Sequence, residues 1–354
     1  MFSFTFFLVL FYFIPKYPHF KTTLVKEYFN DIARLRKQFP SEANLCLRPI
    51  NDRYDYMKDN GHGYTIIINL YDNDKVINHL STQLILVILS YWKTDNVFVS
   101  IYDYGHNSKH THLLSTYLSF IHVHHYIEQV DQQTTYSVEN SKYTSNHELY
   151  HHTIILNDVY FCKDDLLELV HQRNIQSADM VSGLEFEFKK KQLGYHHTYT
   201  MIDLDGNPPN DNLNDLLVHK PSQQSLLLNK PIQMMCIWNG IIVMNPLVFK
   251  TIRFKRKPHN LSNCNESSRL CSTMIHKGYT RIILIPNVHF THSLTDFKLL
   301  KSTDPIVHLF DPLSIRKSSI LVNYTIPKTS PCPLKQQPHQ FEQLLNKFIP
   351  LVRQ

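Results

Sequence analysis

The stretch Thr153–Cys162, T-I-I-L-N-D-V-Y-F-C, stops an apolar β-type run abruptly on a carboxylate. A buried strand over Thr153–Leu156 that delivers Asn157 and Asp158 at its carboxyl end puts a hard oxygen ligand where α/β sheets open their ligand crevice. Such a carboxylate suits Mn²⁺ or Mg²⁺, and a cation held there neutralises a diphosphate and makes it a better leaving group. Asn and Asp also end strands as ordinary turn formers, so the dipeptide alone decides nothing. A second set of metal-ligand types lies just upstream. His147-Glu148-Leu149-Tyr150-His151 fits H-E-x-x-H, in which a helix presents two zinc-binding imidazoles on one face. The motif runs straight into His152 and the strand at Thr153, which leaves that helix no room, so surface histidines closing a helix are preferred to a metalloprotease site.

The elements that must position these residues alternate between short β-rich runs and longer helical ones, the pattern of an α/β sheet. Strands are expected at Tyr64–Asn69, Asn96–Tyr102, His122–Tyr126 and Thr153–Leu156. Helical apolar spacing covers Val76–Trp92 and Lys109–Ser119, and a helix restarts over Lys163–Gln172. Asn239-Gly240, between apolar runs at Met235–Trp238 and Ile241–Val243, predicts a two-residue β-hairpin. The run from Glu266 to Lys277 reads as a helix leading through Gly278 into a strand over Arg281–Ile285, and a short amphipathic helix is expected over Gln340–Phe348. Only 8 glycines occur, so Gly183, Gly206, Gly240 and Gly278 each call for a backbone reason such as a tight turn or close approach.

A length of 354 residues, with 43% hydrophobic and 19% charged residues, fits one large α/β domain with appendages. The net charge of +6, from 36 Lys and Arg against 30 Asp and Glu, suits a diphosphate or an anionic glycan and is too mild and dispersed for nucleic acid. Six cysteines at 46, 162, 236, 264, 271 and 332 show no C-x-x-C spacing. Cys264 with Cys271 or Cys236 are the pairing candidates, with connectivity open. Sequons stand at Asn260, Asn265 and Asn323. Phe2–Ile14 is an apolar run shorter than the ~20 residues a spanning helix needs, so it reads as a signal-anchor or as a signal peptide without a charged start. The expected layout is an apolar anchor or signal segment over 1–15, a stem over 16–60, a catalytic domain over 61–300 and an irregular, proline-containing extension over 301–354.

Seven blocks in chain order carry a family resemblance: Asn96–Asp103, Leu156–Cys162, Ala178–Phe186, Ile202–Asn207, Cys236–Ile241, Asn265–Cys271 and Gly278–Val288. In this order and spacing the chain resembles the fungal capsule-associated α-1,3-mannosyltransferases of the Cryptococcal type. The resemblance implies a GT-A-like α/β fold with a single central mixed sheet flanked by helices. It also implies a retaining enzyme that moves mannose from GDP-mannose to a mannose-containing glycan acceptor with Mn²⁺ or Mg²⁺, held by its N-terminal apolar segment as a single-pass type II Golgi membrane protein with a luminal catalytic domain. The alternative is a catalytically degenerate member acting as a binding or scaffold subunit of a glycosylation complex.

The resemblance also distributes roles. Asp158 becomes the metal ligand, with Asn157 beside it at the donor and His292 as a late imidazole ligand. Asp103, at a strand end, is placed to contact the ribose or base, although the acid and Thr that follow it in the family are replaced here by Ser108 and His110. Glu185, in the slot of a family Asp, and Asp203 are candidates to orient acceptor hydroxyls or to stabilise the oxocarbenium-like charge of glycosyl transfer. Glu266 matches a family acid at a helix start. Trp238 and Asn239 are candidates for lining the nucleotide-sugar site. Around Tyr195–Asp203 the chain departs from the family, with His196, His197 and Tyr199 in an acid- and Trp-containing motif and Ile202 where an Arg is usual, a change that removes a donor.

Overall fold

The computed structural model describes residues 52–58, 60–70, 74–104, 108–129, 150–189, 192–196, 198, 200–210, 212–252, 266–302 and 321–325, with Cys46 and Pro327. The chain divides into two compact units, Met1–Leu47 and Arg48–Gln354. Every element described lies in the second. The first four strands are β1 (Tyr64–Leu70), β2 (Val97–Asp103), β3 (His124–Gln129) and β4 (His152–Leu156), all mutually parallel where they pair. Between them lie helices α1 (Asp74–Tyr91) and α2 (Ser108–Phe120), and α3 (Lys163–Ile175) follows β4. The four strands and three helices expected up to Gln172 are all present, displaced by one or two residues at most boundaries, as fraying ends dictate.

The second half adds β5 (Met180–Lys189), β6 (Gln192–Tyr195), β7 (Met201–Ile202), α4 (Lys220–Leu227), β8 (Ile232–Gln233), β9 (Cys236–Ile237), β10 (Ile241–Met244), α5 (Leu247–Thr251), α6 (Glu266–His276), β11 (Ile282–Phe290) and α7 (Leu294–Ser302). One sheet runs β3-β2-β1-β4-β10-β5-β11-β8, with β6 paired on β5. β10 is antiparallel to both β4 and β5, whereas β11 is parallel to β5. The result is the expected single central mixed sheet flanked by helices.

Strand periodicity assigns the two cores. Ile66, Ile68, Ile154, Leu156, Ile241, Val243, Ile283 and Ile285 point to the face covered by α1, α2 and α3. Their neighbours Ile67, Ile155, Ile242, Met244, Ile282 and Leu284 point to the face that receives Leu226 of α4, Val248 of α5 and Leu270, Cys271 and Met274 of α6. A sheet buried on both faces explains why these strands read as unbroken apolar runs. A disulfide between Cys236 and Cys271 ties β9 to α6. It closes a 35-residue loop, worth about 3–4 kcal/mol in the chain-entropy view. The expected pairing of Cys264 with Cys271 or with Cys236 is thereby corrected, since those two bond to each other; Cys264 lies outside the described residues.

Three expectations need correction. Asn239-Gly240 does not close a hairpin, because β9 pairs with β7 while β10 pairs with β4 and β5. The dipeptide instead hands the chain from a small two-stranded ribbon into the main sheet. Gly240 is required by packing: a Cβ there would sit 2.3 Å from Val159 Cγ1. Among the described residues no helix is long and apolar enough to cross a membrane, which overturns the expected single-pass Golgi membrane anchoring. The run Phe2–Ile14 itself, like the helix expected over Gln340–Phe348, lies outside the described residues. Of the H-E-x-x-H motif, His147 and Glu148 also lie outside, while His151 is a bend residue whose Nδ1 accepts from the Gly63 N–H at 3.0 Å. It closes no helix, and its neighbour His152 is already in β4.

Two outcomes follow from this packing. Gly240→Ala should cost about 1–3 kcal/mol by overpacking, and Val159→Ala in the same chain should recover part of it. Gly183→Ala should not be rescued by trimming a neighbour, since its Cβ would meet the Val288 backbone oxygen at 2.5 Å. Urea midpoints on the single and double variants check both; equal loss in Gly240→Ala and the double variant would refute the packing account. Separately, burial among Tyr160, Phe161 and Phe297 pushes His79 down to about 4, against the Phe161 carbonyl contact and with Lys301 adding to it. Between pH ~6.5 and ~4 the unfolded chain therefore binds more protons, so stability should fall by about 3 kcal/mol as pH drops through that window. His79→Gln should lose less over the same range.

Candidate functional site

The carboxyl edge of the parallel strands gathers groups from four places in the sequence. After β4, Asn157 N–H donates to the Gly240 carbonyl at 2.8 Å, which seats the Asn157-Asp158 turn beside the start of β10. Tyr160 and Thr291 exchange backbone hydrogen bonds, so the segment after β11 runs alongside the segment after β4. That bridge brings His292 to Asp158. The imidazole Nδ1–H donates to the Asp158 carbonyl at 3.0 Å, and the Asp158 carboxylate lies 3.6 Å from the same nitrogen.

Glu185 occupies the centre. Along β5 the order Leu184-Glu185-Phe186-Glu187-Phe188 alternates strictly, and Leu184, Phe186 and Phe188 face the second core. Period 2 therefore turns Glu185 and Glu187 to the opposite face. Glu185 is fully buried. Its Oε2 accepts the Gly240 N–H at 2.8 Å, and its Oε1 meets His292 Nε2 at 2.5 Å. Burial lowers the affinity of His292 for its proton, but the Glu185 carboxylate, helped by Asp158, reverses this and pushes the imidazole up to about 9. At neutral pH an imidazolium thus neutralises a carboxylate that could not otherwise stay charged without water.

The β5–β6 hairpin adds His196. Its backbone N–H donates to the Glu185 carbonyl at 2.9 Å, placing it across the ladder from Glu185. The ligand atoms of Glu185, His196 and His292 all lie within 4.8 Å of one another. Carboxylate oxygen with imidazole nitrogen is a donor set that fits a divalent cation of the first transition row. A cation entering there would displace the Nε2 proton of His292, and Glu185 with the neutral imidazole would then hold it, with Asp158 at the adjoining edge.

The other candidates are distributed differently. Asn239 is buried and committed: its Oδ1 accepts from Tyr195 Oη at 2.6 Å and its Nδ2 donates to the Gly183 carbonyl at 2.7 Å. Trp238 is half-buried beside it, its backbone N–H donating to the Thr200 carbonyl. Asp203 is also buried, and its oxygens accept from the backbone N–H groups of Asp205, Asn207 and His219 at 3.0, 2.9 and 2.7 Å. What this carboxylate holds is a turn. Ile202, next to it, packs against the second core. Glu266 opens α6.

Asp103 ends β2, four strand positions from β5, a lateral distance of roughly 19 Å at ~4.8 Å per strand. Thr111 Oγ1 donates to Asp103 Oδ2 at 2.6 Å. A hydroxyl thus reaches this acid from three residues beyond Ser108, although the expected acid and Thr are replaced at Ser108 and His110. Between Asp103 and Asp158, Asn69 Nδ2 donates to Asn157 Oδ1 at 3.0 Å, while the buried Asn69 Oδ1 has no donor among the described residues. The edge therefore offers acceptors at the Asp103 end and a charged cluster at the Glu185 end. Sequence reasoning missed Asn69, Thr111, Glu187 and the constructive role of His196. The alternation L-E-F-E-F followed by a short return strand was the available signal for the last two.

Residues 138–276 match a family model described as Cryptococcal mannosyltransferase 1. The match takes in the blocks from Leu156 to Cys271, so the family resemblance is shown over that stretch. An alpha-1,3-mannosyltransferase of Cryptococcus neoformans var. neoformans serotype D is 24% identical over 153 residues, 39% of this chain and 33% of that protein. The chain thus spans about a third of that relative's length, 33%. Among solved structures, a mannosyltransferase from Pyrobaculum calidifontis in complex with GDP-Man and Mn²⁺ matches 80% of this chain and 68% of its own at 12% identity and a TM-score of 0.41. S. aureus TarS 1-349 matches 73% and 66% at 10% identity and a TM-score of 0.40.

Because Asn239 is spent on Tyr195, Thr200 and Gly183, Asn239→Ala should act first on stability, at about 1–3 kcal/mol for each buried group left unpaired. A cycle with Tyr195→Phe should return a coupling of about 0.5–3 kcal/mol. Thermal or urea denaturation of the four proteins measures it, and additive losses would contradict the network.

Proposed function

From the match of residues 138–276 to the capsule mannosyltransferases, we propose that this chain is a metal-dependent retaining glycosyltransferase that moves mannose from GDP-mannose to a mannoside acceptor in α-1,3 linkage. The observation that carries the reading is the meeting of Asp158, Glu185 and His292 at the carboxyl edge of the parallel strands, inside the stretch of family resemblance or just after it. A divalent cation bound there would neutralise the diphosphate and improve it as a leaving group.

The chain's own residues supply the rest. Asp103, held by Thr111, and Asn69 offer acceptors to ribose hydroxyls or base N–H groups at one end of the edge. Glu185 is fixed by the Gly240 N–H and cannot swing, so the charge it presents stays at one point and costs no reorganisation during transfer. Trp238, half-buried and packed against the second core, is the residue this reading assigns to the acceptor wall. A front-face departure needs no strong nucleophile from the protein, since the diphosphate oxygen can take the acceptor hydroxyl's proton. Asp203 serves this reading by shaping the loop through Asn207 and His219.

Purified protein incubated with Mn²⁺ should release GDP from GDP-mannose in preference to other sugar nucleotides, and chelation should stop it. Asp158→Asn should lower that release by about a hundredfold or more while leaving the melting temperature near that of the parent, since the side chain is 21% exposed at a strand end. Undiminished release at saturating Mn²⁺ removes Asp158 from the site. GDP binding without release from GDP-mannose in the parent protein identifies a family member that binds without turnover.

A further inference from the structure

We infer that His196 turns the Glu185 cluster into a site of two imidazoles and one carboxylate that prefers Co²⁺ and Zn²⁺, then Mn²⁺, and discriminates against Mg²⁺. The inference rests on reading this cluster as the cation site.

Strand register places the groups. Glu185 and Glu187 lie on one face of β5, and the antiparallel partner puts His196 across from Glu185 and Gly194 across from Glu187. With no side chain at Gly194, the Glu187 carboxylate reaches diagonally to His196, its Oε2 3.0 Å from Nδ1. The contact is an ion-pair distance that does not meet hydrogen-bond geometry in this structure; a carboxylate that close still favours the proton on Nδ1 and leaves Nε2 toward the cluster, as outer carboxylates do for metal-binding imidazoles. His196 Nε2 stands 3.9 Å from Glu185 Oε1. His292 repeats the pattern with a different acceptor: its Nδ1–H donates to the Asp158 carbonyl and its Nε2 faces the same Glu185 oxygen at 2.5 Å. The two Nε2 distances bracket the ~3 Å between neighbouring ligands of a cation with ~2.1 Å bonds. The rings, 5.0 Å apart and inclined at 57°, approach that oxygen from different directions.

Two imidazoles decide the selectivity. Mg²⁺ demands oxygen ligands and keeps its water, whereas imidazole suits borderline metals whose affinities rise from Mn²⁺ through Co²⁺. Glu187 acts as a positioning residue through His196.

Chelator-stripped full-length protein, titrated with CoCl₂ by visible absorption and with CoCl₂, MnCl₂ and MgCl₂ by calorimetry, tests this without turnover. The parent should bind Co²⁺ at least about tenfold more tightly than Mg²⁺. His196→Asp should narrow that ratio and change the cobalt spectrum, and Glu187→Gln should weaken Co²⁺ by about 10–100-fold with an unchanged melting temperature in the metal-free state. His289→Ala should leave binding as it was, because His289 Nε2 is engaged by the Pro286 carbonyl. Equal affinity for Mg²⁺ and Co²⁺, or a cobalt spectrum and affinity unaltered in both His196→Asp and His196→Asn, overturns the inference while GDP release can still stand. Intact cobalt binding in a chain that never releases GDP defeats the catalytic reading and leaves this site in place.

Discussion

The structure turns on one carboxylate sealed from bulk solvent. Glu185 is buried in the sheet at 0% exposure, where an isolated charge is too costly to keep. It is retained because a backbone N–H and an imidazole reach it from two other strands: Gly240 at the start of β10 and His292 beyond the end of β11. Each demand then propagates. Gly240 can come that close only without a side chain, given Val159 against it, and Asn239 is fixed beside it by Tyr195 and Gly183. Gly183 in turn passes close to Val288 at the irregularity in the β5–β11 pairing, after which the register resumes and sets Phe290 against Glu185.

Much of the first half was legible. Apolar runs of Tyr64–Leu70 and His152–Leu156 are sheet-buried on both faces, and the helices between them carry their own spacing, so local pattern and tertiary context agree. Asp158 was readable for the same reason, since a strand that ends on a carboxylate places it at the sheet edge whatever the partners are. The L-E-F-E-F alternation of β5 likewise encodes which face Glu185 takes.

The rest depends on contacts between residues far apart in sequence. Asn239-Gly240 has the residues of a tight hairpin, yet the side chain of Asn239 is more valuable bridging Tyr195 Oη and the Gly183 carbonyl, and the flanking strands join different sheets. Asp203 reads as a candidate acid in one of the family-like blocks, and its two oxygens gather three backbone N–H groups, a use that no spacing rule distinguishes from catalysis. His196 and His292 are 96 positions apart by residue number, and only the joint register of β6 on β5 and of β11 on β5 aims both at one oxygen. Among 22 histidines nothing local marks these two.

The central claim is that this edge binds a cation and a nucleoside diphosphate together. Its most direct test is a crystal structure of the protein soaked with MnCl₂ and GDP, with data collected at the manganese absorption edge. The account predicts an anomalous peak within about 2.0–2.3 Å of Glu185 and His292 Nε2, with the diphosphate on the ion and the nucleoside running toward Asp103. A manganese peak away from Glu185, or GDP bound elsewhere than the carboxyl edge of β1, β2 and β4, would contradict it.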